Sequence, residues 1–368
     1  MPDKGLLYPH EAQSLQISAK EAVKPVVYVT GIAGFLGSHV AEALQGHYDV
    51  TGCDNLSAGD AHNVPIGIGW ELLDCTDREA VRTSLVEARP DVLYHCAAHP
   101  HEGLSVFSPS VVTRSIFEAS VSVFSAAIAA GVKRIVHCSS MSRYGDWPPP
   151  FTEEVLPRPK DPYAVAKVAS EQVLRCLCEA HGVEYVIAVP HNIIGPRQKY
   201  DDPFRNVAAI MANRMLQGLR PIVYGDGQQT RCFSDVRDVI QVLSRLATEP
   251  GISGEVYNVG PDEEVVNIER LGITLAQVID CAWNPIRLPD RPCEVKHAHC
   301  SSDKIRRRFG YKTNHSLRQT LESLVRWIRI CDPKPFQYYL PIEIKTEFTP
   351  RWWLGPLPED ELEARLDI

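Results

Sequence analysis

A tyrosine and a lysine stand four positions apart in the segment Tyr163–Lys167, which reads YAVAK. On a helix this spacing puts both side chains on one face, so that a phenol and an ammonium can act on the same small molecule. A free tyrosine has a pKa of about 10, and a neighbouring positive charge favours its phenolate. The pair therefore predicts a base that removes the proton of a substrate hydroxyl.

Two further features predict a nucleotide beside that base. The segment Thr30–Gly37, TGIAGFLG, follows a β-branched run and opens a helical pattern. Backbone N–H groups at a helix start can face a pyrophosphate, and glycine is required because a Cβ would block the approach. Asp54 stands twenty residues after Gly34, where a carboxylate binds an adenosine ribose and repels a 2′-phosphate. The pattern favours NAD over NADP, although Asp54 can also be a solvated turn residue.

Asp74 and Ser140 extend the predicted site. Asp74 follows a short apolar run, and its carboxylate can contact the adenine amino group or cap the helix predicted over 77–88. Ser140 leaves the strand predicted over 134–139, and doubly wound sheets bind their ligands at strand carboxyl ends. The Ser140 hydroxyl can therefore share the substrate proton, or serve only as a turn residue.

The elements that must position these residues alternate between strands and helices. The strands predicted from apolar runs are 26–29, 48–54, 91–97, 134–139 and 184–189, and amphipathic helices such as 115–130 and 163–181 lie between them. This alternation predicts an α/β fold with a doubly wound parallel sheet covered by helices. After Pro190 the regularity breaks, and a helix over 207–218 and a strand over 221–224 begin a smaller lobe.

Composition and charge exclude several classes of protein. The 368 residues include 38 Lys and Arg against 46 Asp and Glu, a formal charge of −8, which argues against a nucleic-acid partner. The longest nearly apolar stretch, 121–132, is shorter than the roughly 20 residues that span a bilayer, so no membrane partner is expected. Eleven scattered cysteines without a CxxC pair, and a start that does not read as a secretion signal, predict reduced thiols in the cytoplasm.

Several tempting side-chain pairs are interpreted as structural. Cys176 and Cys178 diverge on a helix, and His297 and His299 share a strand face without further ligands nearby in sequence. No metal site is predicted.

Eight motifs occur in one order between residues 25 and 330: TGIAGFLG, CDN, HCAA, SSMSRYG, YAVAK, NIIGPRQ, YGDGQQTRCFSDVRD and VYNVG. Together they resemble the extended short-chain dehydrogenase/reductase family, specifically its NAD-dependent nucleotide-sugar epimerases and dehydratases. The resemblance implies a Rossmann domain that holds NAD, a C-terminal lobe that holds a nucleoside diphosphate sugar, and a homodimer formed through helices 115–130 and 163–181. It also implies that Ser140, Tyr163 and Lys167 form the catalytic set.

The same resemblance divides the chain and assigns its binding residues. The expected units are an N-terminal extension 1–24, a Rossmann domain 25–190 with a return segment at about 228–260, a substrate lobe 191–227 and 261–331, and a proline- and aromatic-rich arm 332–368 that packs on a surface. Cofactor contacts are implied at Gly31, Gly34, Phe35, Leu36, Gly37, Asp54, Asn55, Asp74, Cys75, Ala97, Ala98, Tyr163, Lys167 and His191. Substrate contacts are implied at His101, Ser142, Asn192, Asn206, Val207, Tyr224, Arg231 and Arg291. The two arginines would hold the diphosphate, because a guanidinium binds phosphate oxygens bidentately, although both can also be surface ion-pair residues.

The residues after Ser140 select among the family's reactions. Dehydratases of the family carry Asp-Glu there, and decarboxylases tend to carry glutamate and 3,5-epimerases cysteine at the position of Ser142, whereas this chain has Met141 and Ser142. The remaining cycle is 4-epimerisation: oxidation at C4, a transient 4-keto sugar, and return of the hydride to the other face.

Several alternatives stay open. They are a 4,6-dehydratase, a 4-ketoreductase, a sensor that binds NAD without catalysis, and an epimerase at C3, C5 or a side chain. The last would use His99, His101 and Glu102 in the loop after the third strand as acid and base. The chain also departs from the family pattern at Ser115 and at Val189–Asn192, so its nicotinamide surroundings can differ.

Overall fold

Fourteen strands and eleven helices run through residues 24–358, the part of the chain that the computed structural model describes. The predicted N-terminal extension, except for residue 24, and residues 359–368 of the predicted arm lie outside it. The strands are β1 (Val26–Thr30), β2 (Asp49–Asp54), β3 (Gly69–Leu72), β4 (Val92–His95), β5 (Arg134–Cys138), β6 (Glu184–Pro190), β7 (Ile193–Ile194), β8 (Ile222–Tyr224), β9 (Thr230–Cys232), β10 (Ser234–Asp235), β11 (Val256–Val259), β12 (Val265–Asn267), β13 (Ile286–Leu288) and β14 (His297–Ala298).

Helices follow the glycine turn and cover most of the predicted intervals 77–88, 115–130, 163–181 and 207–218, and the structure adds others near residue 105 and after residue 230. The helices are α1 (Phe35–Leu44), α2 (Arg78–Ala88), α3 (Glu102–Ser105), α4 (Pro109–Thr113), α5 (Ala119–Ala129), α6 (Pro162–His181), α7 (Val207–Leu216), α8 (Val236–Leu243), α9 (Ile268–Ile279), α10 (Asp303–Phe309) and α11 (Leu317–Ile330). A π-helical turn, Arg114–Glu118, joins α4 to α5.

Seven strands form one parallel sheet in the order β3-β2-β1-β4-β5-β6-β11. The first six strands have the Rossmann order 3-2-1-4-5-6, in which the direction of winding reverses between β1 and β4. Val27 and Val29 of β1 are fully buried because helices cover both faces of the sheet, and such double burial selects the apolar β-branched runs seen in the sequence. The predicted α/β doubly wound fold is confirmed.

The helical run Pro109–Ala129 is longer than predicted. Pro109 occupies the first helical position, where its missing N–H costs nothing, and the helix therefore begins six residues before the expected Ser115. By length and composition this run is apolar enough to cross a membrane, unlike the stretch 121–132 considered from sequence, but half of it is buried within the protein. Core helices of folded domains can be equally long and apolar. Helix α5 is one of them, because it packs against α2 and α6.

The lobe is built from short strands and three packed helices. Strand β8 pairs with β13, and β9 pairs with β12 and β14. Helices α7, α9 and α11 share a core that includes Met211, Leu271 and Leu324. Strand β11 returns to the edge of the main sheet beside β6, whereas β9, which precedes it in the chain, belongs to the lobe.

Residues 332–358 follow α11 as an extended segment whose one helical element is a short 3₁₀ turn, Arg351–Trp353. The segment contributes to a separate apolar cluster, in which Trp352 and Trp353 pack with Leu104, Phe204 and Ile222. It therefore connects the lobe to the loop that follows β4.

Candidate active site

A cavity of about 700 Å³ lies between the carboxyl ends of the sheet strands and the lobe. Its wall includes every predicted site residue except His101, Ser142 and His191. The predicted residues that line it are Gly31, Gly34, Phe35, Leu36, Gly37, Asp54, Asn55, Asp74, Cys75, Ala97, Ala98, Ser140, Tyr163, Lys167, Asn192, Asn206, Val207, Tyr224, Arg231 and Arg291.

The glycine turn is shaped by contacts that exclude a side chain. Gly31 has φ +71°, and a Cβ placed on it would lie 2.9 Å from the backbone N and Cα of Ala97. Its N–H donates to the carbonyl of Cys53 at 2.8 Å, which holds the turn against the end of β2. At Gly37 a Cβ would lie 2.1 Å from the Gly31 carbonyl oxygen. The turn is therefore open to a ligand that approaches its backbone closely.

The start of α1 is free to receive an anion. The helix begins after Gly34, no side chain caps it, and its first turn carries no acidic residue. The first backbone N–H groups of a helix lack partners within the helix and carry a partial positive charge. Since Phe35, Leu36 and Gly37 line the cavity, this end of the helix fits the pyrophosphate of a dinucleotide.

Asp54 organises the turn as well as facing the cavity. One of its carboxylate oxygens accepts from the Ala33 N–H at 3.0 Å and the other from the Leu56 N–H at 2.8 Å. Burial raises the pKa of this carboxyl, against the effect of these hydrogen bonds. A buried carboxylate beside the glycine turn fits a ribose diol and opposes a second phosphate, as NAD requires.

Asp74 lies beside it at the end of β3. Its carboxylate accepts from the Asn55 side chain at 3.0 Å and from the Thr76 N–H at 2.8 Å. The helix cap considered as an alternative is instead Asp77, whose carboxylate accepts from the Ala80 N–H at 3.1 Å. Asp74 is therefore available to the cavity, and Cys75 lines the same wall.

Tyr163 and Lys167 come from the first turns of α6. Asp161 caps this helix by accepting from the Ala164 N–H at 2.9 Å, and Pro162 occupies its first position. The Lys167 ammonium donates to the Cys138 carbonyl at 2.8 Å, and burial lowers its pKa. Burial also raises the pKa of Tyr163, whereas its interaction with the Ser140 side chain lowers it. The phenol therefore needs a further positive charge nearby to ionise near neutral pH.

Ser140 is oriented by its own loop. Its Oγ accepts from the Ser142 hydroxyl at 2.9 Å and from the Ser142 N–H at 3.3 Å. Since both contacts use Ser140 as an acceptor, its own proton is left for a ligand oxygen. Ser142, predicted as a substrate contact, lies behind Ser140 and does not line the cavity.

A buried ion pair that the sequence analysis did not identify fastens this loop to α6. Arg143 lies 3.0 Å from Glu171, with exposed side-chain fractions of 4% and 0%. Glu171 also accepts from the Ser139 hydroxyl. The available signal was the spacing of Lys167 and Glu171, which puts both on one face of the helix. The pair fixes the distance between the serine loop and the catalytic face of α6.

Arg231 and Arg291 lie on the lobe side with one carboxylate between them. Arg231 donates to three backbone carbonyls, those of Thr230, Val295 and Lys296, at 2.7 to 3.0 Å. Arg291 pairs with Glu294 at 2.9 Å, and Arg231 lies 3.7 Å from the same carboxylate. Both arginines line the cavity, and their role in holding a diphosphate stays a prediction.

Asn192 and Asn206 hold the chain where it enters the lobe. Asn192 has φ +44° and donates from its side chain to the Cys232 carbonyl at 3.0 Å. Asn206 caps α7 by accepting from the Ala208 N–H at 2.9 Å. This puts Val207 and the start of α7 at the cavity wall.

His101 and His191 are turned away from the cavity. His101 is fully buried, and its Nε2 lies 2.9 Å from the Asp202 carboxylate. The Nε2 of His191 lies 3.0 Å from the Pro261 carbonyl oxygen, and its neighbour Asn192, with φ +44°, lines the cavity. Neither histidine is among the residues that line the cavity.

His99 and Glu102, from the same loop as His101, do face the cavity. Burial lowers the pKa of His99 to about 4, so its ring is neutral near pH 7. Burial, followed by the nearby Asp161 carboxylate, raises the pKa of Glu102 to about 7. Two titratable groups thus accompany Tyr163 in one cavity.

No group of three or more His, Cys, Asp or Glu side chains suited to a metal ion is found among residues 24–358. Over the same range all eleven cysteines are free.

The fold and this site define a dinucleotide-binding α/β protein with a serine, tyrosine and lysine at the carboxyl end of its sheet. Residues 27–260 match the model of the NAD dependent epimerase/dehydratase family. The chain belongs to this family, whose members use NAD on nucleotide sugars.

Alignments with individual relatives cover nearly the whole length of each relative. A UDP-glucose 4-epimerase of Mycolicibacterium smegmatis is 30% identical over 311 residues, which span 82% of this chain and 97% of the relative. The crystal structure of Thermotoga maritima UDP-glucose 4-epimerase with UDP-glucose superposes with a TM-score of 0.78 at 29% identity, covering 83% of this chain and 99% of that one. The dTDP-glucose 4,6-dehydratase DesIV of Streptomyces venezuelae, with NAD bound, gives 0.76 at 28% identity, covering 83% and 97%.

Proposed function

We propose that this protein inverts C4 of a nucleoside diphosphate sugar with the help of NAD. One observation carries the choice within the family: Tyr163, Lys167 and Ser140 share the cavity wall, while the loop after Ser140 contributes no carboxyl group. Met141 is buried there, with its sulfur 3.5 Å from the Asn192 side chain. A dehydratase needs an acid and a base at this place to move protons at C5 and C6.

The three side chains divide the proton chemistry at C4. Tyr163 accepts the proton of the C4 hydroxyl, and Ser140 donates a hydrogen bond to the same oxygen. Lys167, fixed by the Cys138 carbonyl, contributes the positive charge that favours the phenolate. NAD, when bound, supplies the acceptor and later the donor of the C4 hydride.

Inversion requires the sugar to present both faces of C4 in turn. Interactions with the sugar ring must then be few, and the binding energy must come from the nucleoside diphosphate. Arg231, Arg291 and the start of α7 supply such a grip on the lobe side of the cavity. The resulting 4-keto sugar can rotate while the diphosphate stays bound.

A second candidate reaction has its own support in the cavity. Glu102 and His99 are the titratable groups expected for proton transfer at carbon, and the pKa of Glu102 lies near 7. An epimerase at C3 or C5 would use such a group as acid or base after oxidation at C4.

Proton NMR of the purified protein with UDP-, dTDP- and GDP-sugars in deuterated solvent tests both candidates. A 4-epimerase converts one sugar to its C4 epimer and leaves C3 and C5 protonated. Deuterium at C3 or C5 would contradict a simple 4-epimerase and support the role of Glu102 or His99. Absence of turnover with every sugar, together with retained NAD, would favour the sensor.

A homodimer remains part of the proposal. Phe117 in the turn before α5 and Val165 on α6 are 37% and 51% exposed on the helices expected to form the interface. Light scattering of the purified protein tests it, and a monomer that is fully active would contradict it.

A further inference from the structure

The arm, defined as residues 332–358, forms hydrogen bonds both to the lobe and to the segment that follows β4. Gln337 donates from its side chain to the Asp201 carboxylate at 2.7 Å, and the Tyr339 hydroxyl donates to the Asp202 carboxylate at 2.7 Å. Further along, the Glu343 carboxylate accepts from the Ser110 and Val111 N–H groups at 3.0 and 2.9 Å, at the start of α4. The arm therefore crosses from the lobe to the loop after β4.

The far end of the arm is buried against that loop. Trp352 and Trp353 are 4% and 3% exposed. The ring of Trp353 meets the rings of Phe107 and Phe204 edge to face, with centroids 5.8 and 5.4 Å apart. Phe107 follows α3 and Phe204 precedes α7, so Trp353 fills the space between the segment after β4 and the lobe.

Both indoles also line the cavity itself. The Trp352 Nε1–H donates to the Tyr224 hydroxyl at 2.6 Å. The Arg291 guanidinium lies over the ring of the same tyrosine, with its central carbon 4.8 Å from the Tyr224 ring centroid. A Cβ on Gly103 would lie 3.2 Å from Arg291 and 3.3 Å from Trp353. The guanidinium is therefore confined by the tyrosine ring, the Gly103 backbone and the arm.

The arm lies outside the residues that define the family. The family model ends at residue 260. The Thermotoga maritima epimerase is covered over 99% of its length by only 83% of this chain. About a sixth of this chain is therefore not covered by that relative, and residues 352 and 353 lie beyond the family model.

We infer that the arm is a substrate-positioning element, in which Trp352 holds Tyr224 and, through it, Arg291 in place for the diphosphate of a nucleotide sugar. This inference rests on the proposed function, because it assigns the lobe side of the cavity to a nucleoside diphosphate. Trp353 closes the same wall and holds the indole pair against the loop after β4. Because Trp352 hydrogen-bonds to Tyr224 and not to the proton-accepting Tyr163, we expect the arm to act on binding and not on the chemical step.

Calorimetric titration of the full-length protein with UDP, dTDP and GDP measures this role. Trp352→Phe keeps an aromatic ring but leaves the Tyr224 hydroxyl without its donor, and we expect the best of these nucleotides to bind about fivefold to tenfold more weakly. The KM for the sugar nucleotide rises by the same factor while kcat changes little, and NAD affinity is unchanged. Unchanged nucleotide affinity and KM in Trp352→Phe would overturn the inference.

Trp147→Phe is the matched control. It also removes an indole hydrogen bond, the one from Trp147 Nε1 to the Leu156 carbonyl at 3.1 Å, but Trp147 does not line the cavity. We expect its nucleotide affinity to equal that of the wild type, and an equal loss in both variants would mean a general effect on the fold and refute the inference.

A second variant covers the case in which Trp352→Phe does not fold, as judged by loss of NAD binding. Tyr224→Phe removes the accepting hydroxyl and keeps the platform under Arg291, so it should weaken the nucleotide by a similar factor, and wild-type affinity would contradict the role of the contact. If the wild type itself binds none of the three nucleotides, the proposed function fails. If it binds one and the variants bind it equally well, only the inference about the arm fails.

Discussion

Replacing Gly37 by alanine gives the sharpest test of the dinucleotide site. The added methyl would lie 2.1 Å from the Gly31 carbonyl oxygen and 3.2 Å from the Ile32 Cα, all backbone atoms of the turn. The two segments must separate by about 1 Å before this contact is tolerable. The Gly31 carbonyl accepts the Gly34 N–H at 3.0 Å, so the shift also strains a hydrogen bond of the turn.

The expected loss follows from these two terms. Overpacking of this kind costs about 1–3 kcal/mol and a lost hydrogen bond about 1 kcal/mol, together about 2–4 kcal/mol. If this energy is needed to restore the turn around NAD, the dissociation constant rises by roughly 30-fold to 900-fold. If the strain is already present in the folded protein without NAD, it lowers the free energy of unfolding, and the variant shows a lower Tm instead of weaker NAD binding.

Calorimetric titration with NAD and thermal unfolding with and without NAD separate the two outcomes. Gly46→Ala is the matched control, because a Cβ at Gly46 meets nothing within 4 Å, and we expect NAD affinity to be unchanged. Gly34→Ala, with its Cβ 3.0 Å from the same carbonyl oxygen, should lie between the two. Wild-type NAD affinity and Tm in Gly37→Ala would refute the assignment of this turn to the dinucleotide.

Three further predictions concern the proton chemistry and the loop that supports it. Tyr163→Phe should lower kcat by about 10²-fold to 10⁴-fold while NAD binding measured by calorimetry is retained, and near wild-type turnover would exclude the phenol as the base. Because the pKa of Glu102 is raised to about 7, this group is neutral below pH 7 and negative above it. In the Tyr163→Phe background the affinity for UDP-glucose, whose diphosphate ester does not titrate here, should therefore fall as pH rises through 7, by at most about tenfold per pH unit. Glu102→Gln should remove this dependence, and a slope that persists in the glutamine variant would assign it to another group. Arg143→Met leaves Glu171 buried without its partner, so the free energy of unfolding from urea titration should fall by about 3 kcal/mol, and an unchanged midpoint would mean that the ion pair does not support the serine loop.

Local signals were sufficient for the elements that carry the catalytic side chains. Helix α6 was predicted over 163–181 and runs from Pro162 to His181, because Asp161 caps its start and Gly182 ends it in the left-handed conformation. The glycine turn could be predicted from the spacing of its glycines, although its contacts with Cys53 and Ala97 could not. Such features follow from short-range sterics and hydrogen bonds, which a single sequence displays.

Features that depend on distant partners could not be predicted from local patterns. His101 faces Asp202, which lies 101 residues away, and not the cavity. Asn192 lines the cavity as expected, whereas the Nε2 of His191 lies 3.0 Å from the carbonyl oxygen of Pro261, 70 residues away in the chain. Tyr224 and Trp352 are 128 residues apart, and nothing near either residue indicates that they meet.

The position of Trp352 and Trp353 in the chain also orders the events of synthesis. A ribosome completes the glycine turn at 31–37 and the pair at 163 and 167 long before it adds residues 352 and 353. A nascent chain can thus form its dinucleotide pocket while the opposite side is still open to water. If the arm positions the substrate as inferred above, the ability to hold a sugar nucleotide is acquired in a later step, when the two indoles pack against the lobe.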